Sequence, residues 1–317
     1  MRLSLWRRLL CGLVITLPLR AQASNSCAVP KEVEAQRAGK PAAAFDNLAG
    51  AWFAKHGRFA CAIERFESAL RREPNSFESH YNLWLALLED RQYRKAANEF
   101  KLLVKQLPKK AEPRLGLGMV LEETGELAAA EREFRAALDL DPKSVAGMRH
   151  LGDVLRREKR YTAAVTFLRQ AVDRAPGDAG NQVALAEALY DNGAGAEAIQ
   201  LLEKTAAAQP GSAFVQSNLG TLFAREKRYE EALNHFHAAL AIDPSDKVTR
   251  LSLAKALLGL FRYAEVISAS SGVIEHRPRD SEARYLRGVA YRALGEYGKA
   301  AEDLGIAVEV DPTFYPS

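Results

Sequence analysis

At 317 residues the chain has room for two ordinary domains or one long array, and its composition does not choose between them. The formal net charge is +4, but Arg2, Arg7, Arg8 and Arg20 all lie near the amino terminus. Without them 40 basic residues face 40 acidic ones. A chain so balanced lacks the summed positive field that phosphate-backbone binding needs, which excludes nucleic acid as its partner.

The first 23 residues stand apart. Arg2, Arg7 and Arg8 surround a short apolar run from Leu9 to Leu17, followed by Pro18 and then Ala21-Gln22-Ala23. That is the order of a secretory signal peptide. The run is roughly half of the ~20 residues that a membrane-spanning helix needs. Cleavage after Ala23 is therefore expected, leaving an exported chain, periplasmic or secreted, with no integral membrane segment. Residues 24–42 read as a leader strap or partial cap bounded by Pro30 and Pro41. Export leaves Cys27 and Cys61 where disulfides persist. A bridge between them would close a loop of about 35 residues and contribute on the order of 4 kcal/mol in the chain-entropy model. Two free thiols are the other reading, and spacing alone does not decide.

From here the sequence is periodic. Prolines stand at 74, 108, 142, 176, 210, 244, 278 and 312, each 34 residues after the last. A fixed period of this size means stacked supersecondary units. With each proline as the thirty-second position, the units are 43–76, 77–110, 111–144, 145–178, 179–212, 213–246, 247–280 and 281–314, with 315–317 as a tail. The twentieth position reads Ala62, Ala96, Ala130, Ala164, Ala198, Ala232, Val266 and Ala300, and the eighth is small except at Trp84. Small residues at these two positions let antiparallel helices approach closely, while Phe66, Phe100, Phe134, Leu168, Leu202 and Phe236 fill the space between. Gly57, Gly125, Gly193 and Gly295 sit where the first helix of a unit should end in a left-handed residue.

These columns resemble the tetratricopeptide-repeat family, most fully in the last unit: Tyr285, Gly288, Tyr291, Gly295, Tyr297, Ala300, Ala307 and Asp311-Pro312. The resemblance covers residues 43–312. It implies an all-α fold, a right-handed α-solenoid of eight helix-turn-helix hairpins, whose first helices line a concave groove. Periodicity by itself shows only stacked hairpins.

Several positions break the pattern. Trp84, in place of a small residue, should splay its hairpin or force the indole into a gap beside Ala96. Arg287 occupies a leucine column, where its stem can pack while its charge reaches water. The second helix of the seventh unit, with Val266, Ser268, Ser270, Ser271 and Gly272, has the weakest helix propensity and predicts a flexible seam. At the carboxyl end Ala301, Leu304 and Val308 should face outward unless Phe314 and Tyr315 fold over them.

Catalytic and metal motifs are missing: there is no His-Glu-x-x-His, Cys-x-x-Cys, Gly-x-Ser-x-Gly or phosphate-loop lysine. No enzyme activity, cofactor or metal is expected. Gly116-Leu117-Gly118 reads as a packing feature, and His235 and His237 as solvated outer-face histidines on different sides of a helix. The family resemblance places the working surface at positions two, five, nine, twelve and thirteen. In mid-groove these are Tyr81, Leu85, Leu115, Met119, Arg149, Asp153, Arg156, Glu187, Tyr190 and Phe214. Apolar anchors interleaved with both charge signs suit a peptide or helix. A solvated, self-compensating charge network is the plainer reading of the arginines. The family's carboxylate-gripping pattern is not matched: Asn82 and Asn218 hold its middle asparagine column, but their neighbours do not fit.

The expectation is a non-enzymatic interaction scaffold of the cell envelope that binds a protein or peptide partner. The alternative is a homo-oligomer built through the carboxyl-terminal repeat, and a more distant one is an accessory module of an enzyme system.

Overall fold

The computed structural model describes residues 27–312. The expected signal peptide and its cleavage site, and the residues after Pro312, lie outside them. Among the described residues there are helices and no strands. They fall into two units, one ending at Pro142 and the other beginning at Lys143.

The first unit opens with a short α1 (Lys31–Glu34), then three hairpins: α2 (Ala42–Lys55) with α3 (Phe59–Arg72), α4 (Phe77–Glu89) with α5 (Tyr93–Gln106), and α6 (Ala111–Glu123) with α7 (Leu127–Leu140). The second holds five: α8 (Val145–Arg157) with α9 (Tyr161–Arg174), α10 (Ala179–Asp191) with α11 (Gly195–Ala208), α12 (Ala213–Arg225) with α13 (Tyr229–Ile242), α14 (Lys247–Gly259) with α15 (Tyr263–Ile274), and α16 (Ser281–Ala293) with α17 (Tyr297–Val310). In the second unit each first helix also touches the next first helix, α8 to α10 and onward to α16, and α2 touches α4 in the first. Within the second unit the first helices thus form a layer of their own.

Each hairpin is started and stopped by local chemistry. The chain leaves each proline turn through a residue that caps the following first helix: Ser76, Ser144, Asp178, Ser212, Asp246 and Asp280 each accept a backbone N–H of its first turn through their side chain. Lys110 lacks such a cap. The first helix ends in a left-handed residue at the fifteenth position of every unit. Glycine supplies it at 57, 125, 193 and 295, whereas Arg91, Lys159, Lys227 and Phe261 adopt φ of 58° to 62° with a full side chain. The next residue then donates its N–H to the carbonyl five back, as Arg160 does to Leu155 and Arg228 to Phe223, both at 2.9 Å. This closure satisfies carbonyls that would otherwise be orphaned. The glycines revealed half of the column, and the other half is imposed by its surroundings.

The hairpins close on the small-to-large contact. A Cβ built on Gly50 would lie 2.5 Å from the Phe66 ring, one on Gly118 2.5 Å from Phe134, and one on Gly152 2.4 Å from Leu168. Trp84 does splay its hairpin: α4 and α5 approach each other less closely than the two helices of any other hairpin among the described residues, and the indole is buried between them, edge-on to Phe100 with ring centroids 5.8 Å apart. With its own glycine position occupied by the indole, Phe100 packs instead into the next hairpin, where a Cβ on Gly116 would lie 2.2 Å from its ring. Gly116 is thus the packing feature its sequence suggests, and it compensates for Trp84.

A second column escapes the sequence reading. The fourth position of a first helix faces the twenty-third, on the partner helix, and in five units the two are polar complements. Asp46 pairs with Arg65 at 3.5 Å, Arg114 with Glu133 at 3.1 Å and Arg284 with Asp303 at 2.6 Å. His80 lies 3.8 Å from Glu99, and His235 Nδ1 lies 2.8 Å from Gln216 Oε1. The sign of the pair swaps between units, so neither column is uniform.

Three expectations need correction. Arg287 does not carry its charge to water: it holds Asp303 through Nε and Nη2, at 2.6 and 2.9 Å, and donates to Ser271 Oγ, filling space that the small side chains of α15 leave. Leu304 does not face outward but packs on Gly288, while Ala301 and Val308 are exposed. His235 is no solvated histidine, since it stacks on Phe223 with centroids 5.2 Å apart and planes 3° from parallel; His237 is exposed. At α15 the low propensity shows as a helix of 12 residues where the other second helices have 14.

At the amino end Val33 of α1 is buried on Phe45 and Ala49, flanked by Val29, Leu48 and Trp52. Cys27 and Cys61 are bonded through sulfur, with Cα atoms 5.2 Å apart.

Two measurements test this packing. Lys159→Gly should stabilise the chain by about 1 kcal/mol, because glycine adopts the left-handed region without strain. Gly116→Ala should destabilise it by about 2 kcal/mol through overpacking against Phe100. The two should shift urea midpoints in opposite directions, and a Gly116→Ala chain as stable as its parent would remove the proposed compensation. Burial on Phe223 lowers the His235 pKa, with Glu203 and Glu231 opposing it. Folding therefore favours the neutral ring. Its contribution is complete above the unfolded pKa of about 6.5 and is lost as the pH falls below that value through the folded one. His235→Gln should flatten the stability profile on that acid limb.

Candidate functional site

The expected groove residues all lie on first helices, but the two units present different chemistry. In the first unit α4 carries an aromatic run: Tyr81 lies between Phe77 and Trp84, with centroids 6.1 and 5.2 Å away. Tyr81, Leu85 and Leu115 are half-buried, and burial raises the pKa of the Tyr81 phenol. Phe77 beside them is 39% exposed. Met119 is packed into the core and offers almost no surface. Next to this apolar patch runs an amide ladder: Asn82 Nδ2 donates to Asn47 Oδ1 at 3.1 Å, and Asn47 Nδ2 donates to Glu78 Oε1 at 2.9 Å. Sequence reasoning named Asn82 only as a member of an unmatched pattern. The register of Asn47 and Asn82 across two hairpins was the signal for this ladder.

In the second unit the corresponding face is a charge network centred on Arg156. Its guanidinium reaches from α8 to α10, contacting Glu187 Oε2 and Asp191 Oδ2, each at 2.9 Å. The other Asp191 oxygen accepts from Arg225 on α12 at 2.6 Å. Arg225 in turn lies 3.8 Å above the Tyr190 ring. Arg149 and Asp153 approach to 4.0 Å, and an Arg149 nitrogen lies 3.2 Å from His150 Nε2. Phe214 stands apart from these contacts, half-buried, with its carbonyl accepting from Asn218 at 2.7 Å. The structure thus joins Arg156, Glu187 and Tyr190 into one connected set and leaves Phe214 out of it.

The electrostatics follow from those contacts. Desolvation pushes the Asp191 carboxyl up, but hydrogen bonds from Arg225 and Arg156 outweigh it and hold the group below its usual range. Burial disfavours the Arg156 charge, and Glu187 with Asp191 more than restores it. Desolvation raises the Tyr190 phenol, helped by its hydrogen bond with Glu226. Arg225 and Glu226 were missed from sequence. The thirteenth column alternates Arg157, Asp191 and Arg225, which was enough to place Arg225 beside Asp191.

Among the described residues no three His, Cys, Asp or Glu side chains are grouped to hold a metal ion, and no helix is long and apolar enough to cross a membrane. What the two faces can do chemically is recognise. One offers half-buried rings and leucines beside a hydrogen-bonded amide ladder, and the other offers paired guanidinium and carboxylate groups.

Models of the tetratricopeptide repeat match residues 53–111, 85–144, 115–179 and 251–312, with further matches over 155–217 and 213–246. No curated protein sequence matches. Among solved structures, the Cut9–Hcn1 hetero-tetramer of the APC/C superposes with a TM-score of 0.62 at 17% identity, over 89% of this chain and 56% of that one. A monomeric mutant of IFIT1 with Gppp-AAAA gives 0.57 at 17% identity, over 86% of this chain and 70% of that one. This chain therefore spans little more than half of the first of these, and at such identities the likeness is one of fold.

The network's contribution can be read directly. Asp191→Ala leaves two guanidinium groups facing each other over a vacated site and should cost about 2 kcal/mol. The Asp191 contribution is present above a carboxylate's unfolded pKa and is lost as the pH falls through the lower, folded value. Urea melts of the variant and its parent should therefore converge towards acid pH, and a constant difference from pH 7 to pH 3 would contradict the assignment.

Proposed function

Since the chain belongs to the tetratricopeptide-repeat family, we propose that it works as an exported, non-enzymatic scaffold of the cell envelope, holding a peptide or helix of a protein partner on its first-helix faces and assisting complex assembly. The family is in general a non-catalytic interaction scaffold for protein or peptide partners. The observation that carries the finer reading is the run of Phe77, Tyr81 and Leu85 along α4, whose side chains remain partly exposed. Clustered aromatic and aliphatic side chains of this kind act as anchors once a partner excludes water from them. The half-buried Asn82 amide beside them, fixed by its hydrogen bond to the buried Asn47, adds a polar group next to the apolar anchors.

Export is supported by two independent features. The amino-terminal sequence has the order of a secretory signal, and the Cys27–Cys61 bond belongs to an oxidising compartment. Self-assembly is the second reading. It is favoured by α17, on which Val308 and Val310 remain 37% and 41% exposed and Tyr297 71%.

A photo-crosslinking residue placed at Tyr81 in the native compartment should capture a defined protein, and Leu85→Glu should abolish that capture while leaving helicity intact. The same probe at the exposed outer-face residue Lys101 should not capture it. Equal capture from both positions, or capture that survives Leu85→Glu, would defeat the proposed groove. Capture of the chain itself, with a scattering mass that rises with concentration, would favour self-assembly.

A further inference from the structure

Away from both first-helix faces, the amino-terminal strap and the first hairpin enclose a cleft of about 420 Å³, within the size range of small-molecule sites. Its apolar side is made by Val29 and Phe45, and its polar side by three arginines, Arg37, Arg65 and Arg72, around Asp46. We propose that this cleft binds an organic monocarboxylate.

The charge count points to a single negative charge. Arg37, Arg65 and Arg72 face only two carboxylates, Asp46 and Glu34, leaving one positive charge in excess. Asp46 is buried, and both of its oxygens are occupied: Oδ2 accepts from Ser68 Oγ at 2.8 Å and from Arg72 Nε at 3.3 Å, and Oδ1 lies 3.5 Å from Arg65 Nη1. Each guanidinium carries five N–H donors in a planar fork, and these contacts use a minority of them. Arg65 gives one more, from Nη2 to the Cys27 carbonyl at 3.2 Å, while its Nε is enclosed with no hydrogen-bond partner among the described residues. Arg37 is held by Glu34 at 2.7 Å and lies 5.0 Å over the Phe45 ring. The site therefore combines surplus forked donors, which match a carboxylate in geometry, with the half-buried Val29 beside them, while the Phe45 ring is buried beneath Arg37. A phosphate would bring more negative charge than the single excess guanidinium balances.

One wall of the cleft exists because of the disulfide. Val29 and Arg37 belong to the strap, and the strap is fastened by Cys27 to Cys61 on α3. Loading is thereby tied to the oxidised chain.

Titration calorimetry of the purified, oxidised chain with 3-phenylpropionate, its amide, N-acetyl-Ala-Ala-Phe and inorganic phosphate tests the proposal. The free acid should bind saturably below about 10 mM, and the amide at least about tenfold more weakly. The peptide acid distinguishes a chain-terminal carboxylate from a small free acid: whichever of the two binds more tightly identifies the source. Arg72→Ala, at a side chain that is 55% exposed, should weaken acid binding by about tenfold with helicity retained. Reduction of the disulfide should abolish it. Equal binding of acid and amide, tighter binding of phosphate, or an Arg72→Ala chain that binds as its parent does would each overturn the proposal. Binding that survives reduction would refute the part played by the strap. None of these outcomes depends on the peptide groove, whose own test is crosslinking at Tyr81.

Discussion

The contact between the eighth and twenty-fourth positions of each hairpin is the constraint from which the rest of the structure follows. A ring or a leucine on the second helix lies where a Cβ on the first would be, so the two backbones can approach only if the first residue is small. The pairs also vary together: glycine takes phenylalanine or leucine, Ala186 faces the Leu202 column, and Ala254 faces Ser270. Where the pair is violated the neighbours adjust. Trp84 displaces Phe100 into Gly116 of the next hairpin, and Arg287 reaches back to Ser271 beside the small side chains of α15. Packing errors are thus shared between hairpins, which ties each one to the next more firmly than a plain repeat would.

Once both helices of a hairpin are committed to this contact, the surface left over is the exposed side of the first-helix layer, and the two units use it differently. Around Tyr81 and Leu85 the exposed groups are apolar, so covering them yields affinity. Around Arg156 the charges are already matched to one another. A partner there would exchange one set of charge-assisted bonds for another, with small net gain but strong discrimination against a mismatched sequence.

Much of the fold was legible because the repeat forces the same solution eight times. The prolines, the small columns and the aromatic fillers each report a backbone requirement that tolerates few residue types. What was not legible lay in columns where the requirement is met by several chemistries. The left-handed position takes glycine in four units and Arg91, Lys159, Lys227 or Phe261 in the others, so the composition of that column hides its conformation. The polar pair at positions four and twenty-three swaps sign between Asp46–Arg65 and Arg284–Asp303, so only the pair, and never either column, is informative. Of the groove residues, Met119 was misjudged because a helix turns a given register position in or out according to its neighbours. His235 was misjudged because its partner Phe223 sits on another helix.

The amino-terminal end shows how a covalent bond completes what packing alone does not. A repeat array must cover its first apolar face, and here that cover is α1, four residues long, with Val33 as its one buried side chain. A helix of that length has no stability of its own, and burial of one valine contributes only about 1.5–3 kcal/mol. Fixing the strap costs about 1–2 kcal/mol of conformational entropy for each ordered residue, more than Val33 alone offsets. The Cys27–Cys61 bond removes much of that freedom from the unfolded chain in advance, and the Arg65 hydrogen bond to the Cys27 carbonyl then sets the strap against α3. The cap is therefore completed by a covalent bond to α3 and not by the packing of α1 alone.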